Sequence, residues 1–275
     1  MRLSILLFVP AVFAQTITPQ TPRQGDVLHI SGPATAVTAR MNGRTIRLFP
    51  QPDGGTLGLM PITATETPGP YKLEFLNQSG TSVQTIPVTV RDAHFASQNV
   101  VIDKNIAALK ATPDEIEKVA AFRKTVSDTR YWAEPLALPV NGCMTSPYGV
   151  RRLLNSKATG DYHAGIDQRS PADRPIHAIA AGVVGLVGHF TLHGNMVAVD
   201  HGQGLLSMYL HMSRFAVTEG AQVKQGDVIG YVGSTGRSTA PHLHWSIYAN
   251  GVPVNPAQWV KLTPCAAAPR AKRHK

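Results

Sequence analysis

The chain has 275 residues, of which 43% are hydrophobic, 16% charged and 7% aromatic. This composition is ordinary for a globular protein and excludes a collagen-like, coiled-coil or wholly disordered chain. The length is sufficient for two compact units. The formal net charge of +9 indicates an anionic partner, for which nucleic acid and cell wall both qualify.

Residues 1–14 have the pattern of a secretory signal peptide. Arg2 precedes an apolar run that closes with the small residues Val12 and Ala14, which is the order of regions that export signals share. The run is shorter than the roughly 20 residues that a spanning helix needs, and Pro10 interrupts it. We expect cleavage after Ala14, no transmembrane segment, and a mature protein in the periplasm or outside the cell.

Residues 15–92 indicate a small β domain. Residues 37–49 form a candidate hairpin, because Asn42-Gly43 suits a type I′ turn between two strand-like runs. A second pair of strands is predicted around a turn at 77–80, from the alternating apolar residues Tyr71, Leu73, Phe75, Ile86, Val88 and Val90. Short strands with proline and glycine punctuation suggest an immunoglobulin-like β-sandwich.

Residues 93–139 are predicted to form a helical connector. Thr112 can cap a helix in which Pro113 occupies the first turn and Glu115 bonds back to the cap. Apolar residues then follow at helical spacing, namely Ile116, Val119, Ala120 and Phe122. The segment around Pro135 and Pro139 is expected to end the connector.

Residues 140–262 are strand-like again and rich in glycine. Strands are predicted at 179–187, 196–200, 205–212, 228–232 and 242–248. The two cysteines, Cys143 and Cys265, either form one disulfide or remain as two buried thiols. Residues 263–275 carry four basic and no acidic side chains, and this tail serves either solubility or weak adhesion to an anionic polymer.

Histidine is concentrated in this second half, where eight of the eleven lie: His163, His177, His189, His193, His201, His211, His242 and His244. Neutral imidazole is the commonest protein ligand of zinc, and a catalytic zinc site needs three protein ligands and an open fourth position. The clustering therefore indicates a metal centre.

Two short segments have suitable spacing for metal ligands. In the first, His163 and Asp167 flank Gly165, which lets the backbone bend both donors toward one ion. In the second, His242 and His244 are two apart on a predicted strand and therefore share a face. Either both histidines bind the metal, or one binds it while the other handles the proton of the metal's water.

A third segment, 209–212, places His211 within a predicted strand. Strand alternation predicts that His211 lies on the face opposite Leu210 and Met212, where it would be available to a shared cleft. Other chemistries lack their motifs: the chain has no H-E-x-x-H, G-x-S-x-G, Walker loop or C-x-x-C pattern. Nucleic-acid binding is not expected, since the charge excess lies mainly in the tail.

Taken together, these motifs resemble the LytM or lysostaphin-type zinc peptidases, family M23, whose signature is H-x-x-x-D followed far downstream by H-x-H. The resemblance covers about residues 140–260 and includes the segments 146–152, 199–202, 209–211 and 233–245. It implies that His163, Asp167 and His244 bind one Zn²⁺ per chain, and that His211 and His242 are catalytic. It also implies hydrolysis of peptide cross-links in peptidoglycan, with the peptide stems as substrate.

The departures from the family pattern are Gln168, Arg169 and His193, which bear on groove shape and substrate choice more than on the metal. All five active-site positions are filled. A complete set of active-site positions makes the alternative, a non-catalytic wall-binding activator of other peptidoglycan hydrolases, less favoured but does not remove it. A metal-binding module without hydrolysis is a more distant alternative.

The sequence thus predicts a mainly β protein with an N-terminal immunoglobulin-like β-sandwich, a helical connector, and a C-terminal β-sheet peptidase domain of the LytM/lysostaphin type. The first domain either positions the enzyme or shields its groove. The bond that is cut, the oligomeric state, and the division of roles between His211 and His242 remain open at this point.

Overall fold

The computed structural model describes residues 16–52 and 54–266, and these are mainly β, as predicted. The predicted signal peptide at 1–14 and most of the basic tail lie outside the described residues. Among those that are described, no helix is both long and apolar enough to cross a bilayer.

The N-terminal unit consists of two four-stranded antiparallel sheets, ordered β1-β2-β6-β5 and β4-β3-β7-β8. Apolar side chains of both sheets meet in one core, including Ile30, Met41, Met60 and Phe75. The mainly β character is confirmed, whereas the immunoglobulin-like topology stays a prediction. The strands are β1 Ile17–Thr18, β2 Val27–Gly32, β3 Thr38–Met41, β4 Arg44–Arg47, β5 Phe49–Pro50, β6 Thr56–Pro61, β7 Gly69–Leu76 and β8 Ser82–Val90.

Both predicted hairpins of this unit are confirmed. Strands β3 and β4 pair around Asn42 and Gly43, whose φ angles of 46° and 74° are the positive values that a type I′ turn requires. Strands β7 and β8 pair in the second hairpin.

The connector is less helical than predicted. It contains strand β9 (Ser97–Val100) and helices α1 (Lys104–Ala107) and α2 (Pro113–Arg123). The predicted cap is confirmed, because the Thr112 side chain and Glu115 form a reciprocal capping box. The helix nevertheless ends at Arg123, and Ile116 is 59% exposed rather than buried.

Residues 125–139 run along the C-terminal unit without helix or strand. Trp132 and Leu136 are buried in the core of that unit. The amides of Tyr131 and Ala137 donate to carbonyls of the C-terminal unit. Contacts with the C-terminal unit, rather than the backbone hydrogen bonds of a helix, therefore hold residues 125–139 in place.

The C-terminal unit is built on a ten-stranded sheet whose main path is β10-β13-β20-β17-β16-β15-β18. Strand β9 of the connector pairs in parallel with β11, beside β12, in a separate three-stranded sheet. The strands are β10 Met144–Ser146, β11 Arg151–Leu154, β12 Lys157–Tyr162, β13 Ile166–Arg169, β14 Pro175–His177, β15 Gly182–Phe190, β16 Gly194–Gly202, β17 Leu205–Phe215, β18 Gln222–Val223, β19 Val228–Val232, β20 His242–Ala249 and β21 Val252–Val254; a 3₁₀ turn follows at Pro256–Gln258.

The two units are joined by specific hydrogen bonds as well as by the chain. The Gln258 side chain exchanges two bonds with the backbone of Val27, each 2.8 Å long. The Asn250 side chain donates to the carbonyl of Leu59 over 2.8 Å. Val27 and Leu59 are also buried in the hydrophobic core of the C-terminal unit.

Cys143 and Cys265 form a disulfide, which the sequence had left open. The bond ties residue 265 to the start of β10, and the amide of Cys265 donates to the carbonyl of Met144. Because β10 pairs with β13, the disulfide buttresses the strand that carries Asp167.

Candidate metal centre

Strands β13 and β20 place the metal-ligand candidates side by side. In their antiparallel register Asp167 lies opposite His244, and Arg169 lies opposite His242. The alternate residues Leu243 and Trp245 are fully buried. Period-two alternation therefore directs both histidines away from the core, as the sequence predicted.

Gly165 permits the close approach of His163 to this strand pair. A Cβ atom at residue 165 would lie 2.4 Å from the carbonyl oxygen of Trp245 and 2.9 Å from Nε2 of His244. The glycine is therefore required by close packing of the backbone against β20, beyond the flexibility that we expected from the sequence.

Three donor atoms converge at this point. Nε2 of His163 lies 3.0 Å from Nδ1 of His244 and 3.1 Å from Oδ1 of Asp167, and the latter two atoms are 2.8 Å apart. Among the described residues, these three form the group of histidine and carboxylate side chains with the spacing of a metal site.

Hydrogen bonds at the far side of each ligand set its orientation. Nδ1–H of His163 donates to the carbonyl of Pro147 over 2.8 Å, which leaves Nε2 as a lone-pair donor. Nε2–H of His244 is directed at Oγ of Ser246, 3.2 Å away. The guanidinium of Arg152 donates to Oδ2 of Asp167 over 2.8 Å. Such outer contacts orient metal ligands in proteins.

The electrostatics of the cluster favour a bound cation. Burial lowers the pKa of His244 to about 4, against the opposing effect of Asp167, so its imidazole is neutral near neutral pH. Burial alone would raise the pKa of Asp167, but His163 and His244 outweigh it and hold this pKa well below the usual value. The lone pairs of the two imidazole nitrogens therefore face the anionic Oδ1 of Asp167, with the three atoms about 3 Å apart.

The residues present fit a zinc ion. Two imidazole nitrogens and one carboxylate oxygen form a ligand set of the kind that catalytic zinc uses, leaving a fourth position for water or substrate. Zinc–ligand bonds of about 2.0–2.1 Å in tetrahedral geometry separate the ligand atoms by roughly 3.3 Å. The observed separations of 2.8–3.1 Å are close to this value.

His211 and His242 lie beside the cluster with their rings 5.3 Å apart. Nδ1–H of His211 donates to the carbonyl of Thr235 over 2.7 Å, and Nδ1–H of His242 donates to that of Ala240 over 2.8 Å. Nε2 of each ring is therefore the atom left to act on a ligand. Nε2 of His242 lies 3.8 Å from Oδ1 of Asp167.

The position of His211 corrects the expectation drawn from strand alternation. Leu210 lines the same groove as His211, whereas Tyr209 and Met212 lie in the core of the C-terminal unit. His211 has a φ angle of 60°, in the left-handed region that residues other than glycine seldom adopt. This local break in the strand turns His211 and Leu210 toward the same side.

Burial, followed by repulsion from His244 and His242, lowers the pKa of His211 to about 3. The ring is therefore neutral near neutral pH, and its Nε2 presents a lone pair. A negative charge that developed nearby would favour protonation of this nitrogen.

These groups lie in a groove of about 840 Å³. Its lining includes Gln98 of β9, Thr159 of β12, His193 and the loop 237–241. The Ser146 hydroxyl donates to Gln98 over 2.6 Å, which ties the connector strand to the ligand-bearing part of the sheet. No described residue before Gln98 lines the groove.

The remaining histidines of the C-terminal unit do not share the metal cluster. His201 is fully buried and bonds to Ser207 and to the carbonyl of Ala181. His177 donates to the carbonyl of Gly226, and His189 contacts the side chain of Asn195. The number of histidines in this half of the chain is therefore larger than the number that belong to the site.

Residues 161–256 match peptidase family M23. A solved structure described as an M23 peptidase from Pseudomonas aeruginosa is 29% identical, with a TM-score of 0.66; the alignment covers 86% of this chain and 94% of that one. The chain belongs to peptidase family M23. The match to the P. aeruginosa structure spans both units, so the M23 member shares its overall architecture with that protein.

Two curated relatives are similar over the C-terminal unit. The DD-carboxypeptidase/endopeptidase Mpg of Neisseria meningitidis is 43% identical over 123 residues, which are 44% of this chain and 28% of Mpg. The peptidoglycan DD-endopeptidase ShyC of Vibrio cholerae is 38% identical over 113 residues, which are 41% of this chain and 26% of ShyC. The M23 chain thus spans about a quarter of the length of these relatives.

Sequence reasoning did not assign a role at this site to several contributors. Arg152 lies within the motif 146–152, but nothing in the pattern shows that its guanidinium reaches Asp167. Glu115 was expected only to cap its helix, yet it also contacts the turn at Leu192 and His193. Their partners are 15 and 77–78 residues away along the chain, respectively, so local spacing carries no signal for these contacts.

Proposed function

We propose that this M23 member is a zinc metalloendopeptidase that hydrolyses peptide cross-links of bacterial peptidoglycan. The observation that carries the proposal is the convergence of His163, Asp167 and His244 within an open groove. The curated relatives named as peptidoglycan DD-endopeptidases support the substrate class. Location in the periplasm or outside the cell is part of the same proposal, because peptidoglycan lies there.

His163, Asp167 and His244 would hold the zinc ion, with Arg152 and Ser246 fixing their orientation. A zinc ion in such a site lowers the pKa of a bound water toward neutrality and polarises the substrate carbonyl. Arg152 has a further effect in this arrangement. By binding Oδ2 of Asp167, its guanidinium leaves Oδ1 to face the two imidazoles.

His242 is the proposed general base. Its Nε2 carries the lone pair, because Nδ1–H is engaged by the Ala240 carbonyl. It also lies at the edge of the ligand triangle, 3.8 Å from Oδ1 of Asp167. Partial exposure of its side chain allows the accepted proton to reach the leaving amine or solvent.

His211 is proposed to stabilise the oxyanion that develops on the scissile carbonyl. The buried ring is neutral in the resting protein, as its pKa of about 3 shows. Negative charge on the substrate oxygen would favour uptake of a proton from solvent at Nε2, and the resulting N–H would donate to that oxygen, so the interaction would be strongest in the transition state. The fixed bond from Nδ1–H to Thr235 keeps the ring oriented for this role.

The test combines metal analysis with product analysis. Purified protein should contain one zinc ion per chain and release peptides from isolated sacculi, with mass spectrometry locating the cleaved peptide bond. Asp167→Asn should lose bound zinc and activity together. His211→Ala should retain zinc and lose most of the turnover.

The outcomes separate this proposal from its alternatives. If metal-free protein acted on cells as well as the loaded protein does, the chain would be an activator of other wall enzymes. If products carried only cleaved sugar linkages, the endopeptidase proposal would be wrong. If His211→Ala retained full function, the chain would be a metal-binding module.

A further inference from the structure

Arg169 is an exposed arginine of the groove that lies beside His242. It is two residues beyond Asp167 on β13, so both side chains point to the groove face, while Gln168 between them is fully buried. It also lies directly opposite His242 in the strand register. Side chains of such cross-strand neighbours have Cβ atoms about 5 Å apart.

The charge of Arg169 is not engaged by the protein. The side chain is exposed and lines the groove, and its guanidinium makes no hydrogen bond or ion pair within residues 16–52 and 54–266. Its backbone is nevertheless fixed, because its amide donates to the carbonyl of Cys143 over 2.9 Å. A firmly held strand therefore presents an unpaired cation next to the proposed general base.

Of the three other arginines that line the groove, two are bonded to the protein. Arg152 is bound to Asp167, and Arg123 donates to the carbonyl of Gly251. Arg237, on the loop after β19, is exposed, and among the described residues its guanidinium also makes no hydrogen bond or ion pair. Arg169 is thus the unbonded arginine that lies directly opposite His242 in the strand register, where it is available to an anionic group of the substrate.

We propose that Arg169 is a specificity residue that binds a carboxylate of the substrate next to the scissile bond. The inference rests on the proposed function, because peptidoglycan stem peptides carry free carboxylates at their ends and on their side chains. The planar guanidinium matches a carboxylate with two parallel hydrogen bonds, which an ammonium group cannot reproduce. The subsite therefore selects peptides with a free carboxylate at one position over the amidated forms.

The experiment compares zinc-loaded wild type with Arg169→Gln on cross-linked stem-peptide dimers. Each substrate carboxylate, terminal or side-chain, is converted in turn to the primary amide. For one of these positions the wild type should lose about tenfold in kcat/KM on amidation, the size expected for one charge-assisted pair. Arg169→Gln should lose about tenfold on the unmodified dimer through KM, and should no longer distinguish the two forms.

Two further variants complete the design. Arg169→Lys keeps the charge but loses the fork, so it should retain only part of the discrimination. Arg174→Gln removes an exposed arginine outside the groove and should leave both zinc content and discrimination at wild-type levels. The substrate position at which amidation weakens cleavage by the wild type, but not by Arg169→Gln, identifies the carboxylate that Arg169 binds.

Direct binding separates this inference from the proposed function. Dissociation constants of the same dimers for the zinc-loaded proteins should show the same tenfold difference, whether or not cleavage occurs. Binding with discrimination but without cleavage would contradict the endopeptidase proposal alone. If Arg169→Gln discriminated as the wild type does, or lost kcat with KM unchanged, the carboxylate subsite would be wrong. Absence of binding would contradict both.

Discussion

Glu115 of the connector helix holds the turn that contains His193. Its carboxylate is fully buried and accepts hydrogen bonds from the amides of Leu192 and His193 and from Nδ1–H of His193, the last over 2.5 Å. Burial alone would raise the pKa of Glu115, but these bonds outweigh it and lower the pKa. The carbonyl of His193 in turn accepts the amide proton of His211.

This chain of contacts makes Glu115 a positioning residue for His211. Glu115→Ala should leave the three donors of the turn, together with the amide of Thr112 at the helix cap, without their acceptor and let the turn move. We expect kcat to fall about tenfold, with a smaller change in KM and unchanged zinc content, since the metal ligands lie on other strands. Steady-state kinetics and metal analysis check this.

Glu117→Gln is the matched control, because Glu117 is exposed on the same helix and should leave kcat unchanged. A Glu115→Ala protein with wild-type kcat would show that the turn keeps its place without the carboxylate. A proportional loss of zinc would instead point to general damage to the fold.

The N-terminal unit supports the C-terminal unit from outside the groove. The sequence left open whether it positions the enzyme or shields its groove, and shielding predicts higher activity when residues 15–92 are removed. Because no described residue of 16–92 lines the groove, we expect deletion to give no increase in kcat. It should lower the unfolding temperature, since Val27 and Leu59 leave the shared core. A rise in kcat would reinstate shielding.

The disulfide should contribute substantially to stability. It closes a chain separation of 122 residues, and loop-closure entropy predicts a loss of roughly 3 to 5 kcal/mol in the Cys143→Ser/Cys265→Ser variant. Urea unfolding measures the difference. A reductant should lower the stability of the wild type to that of the double variant and leave the latter unchanged; equal stabilities without reductant would contradict the prediction.

Acid should destabilise the fold through His201. Burial lowers its pKa from 6.5 to about 4 in the folded state. Between these values the unfolded chain binds more protons, so the contribution is complete above pH 6.5 and is lost as the pH falls toward 4. The shift corresponds to about 3 kcal/mol.

Urea unfolding at several pH values, with zinc saturating throughout, tests this contribution. His201→Gln cannot titrate, so its free energy of unfolding should fall less steeply between pH 6.5 and 4 than that of the wild type. Equal slopes for the two proteins would remove His201 as the cause. The comparison of slopes remains valid even if the variant is less stable at every pH.

Local sequence patterns were sufficient to predict individual turns and helix starts. Asn42-Gly43 specified its turn, and Thr112 with Glu115 specified the start of a helix, because each depends on backbone groups within a few residues. Periodicity could not place the end of the connector. Residues 125–139 follow the sheet through Trp132 and Leu136, which are contacts with distant parts of the chain.

The sequence by itself singled out His163, Asp167, His242 and His244 as metal-site candidates through their spacing, and its resemblance to the M23 family implied the ligand set His163, Asp167 and His244. Only the tertiary structure decided which face of the strand His211 lies on, since its left-handed backbone conformation interrupts the regular alternation of side chains along β17. It also decided that Arg152 donates a hydrogen bond to Asp167, while Arg169 stays unpaired in the groove. Such pairings depend on distances across the fold, and these are set by packing between strands that lie far apart along the chain.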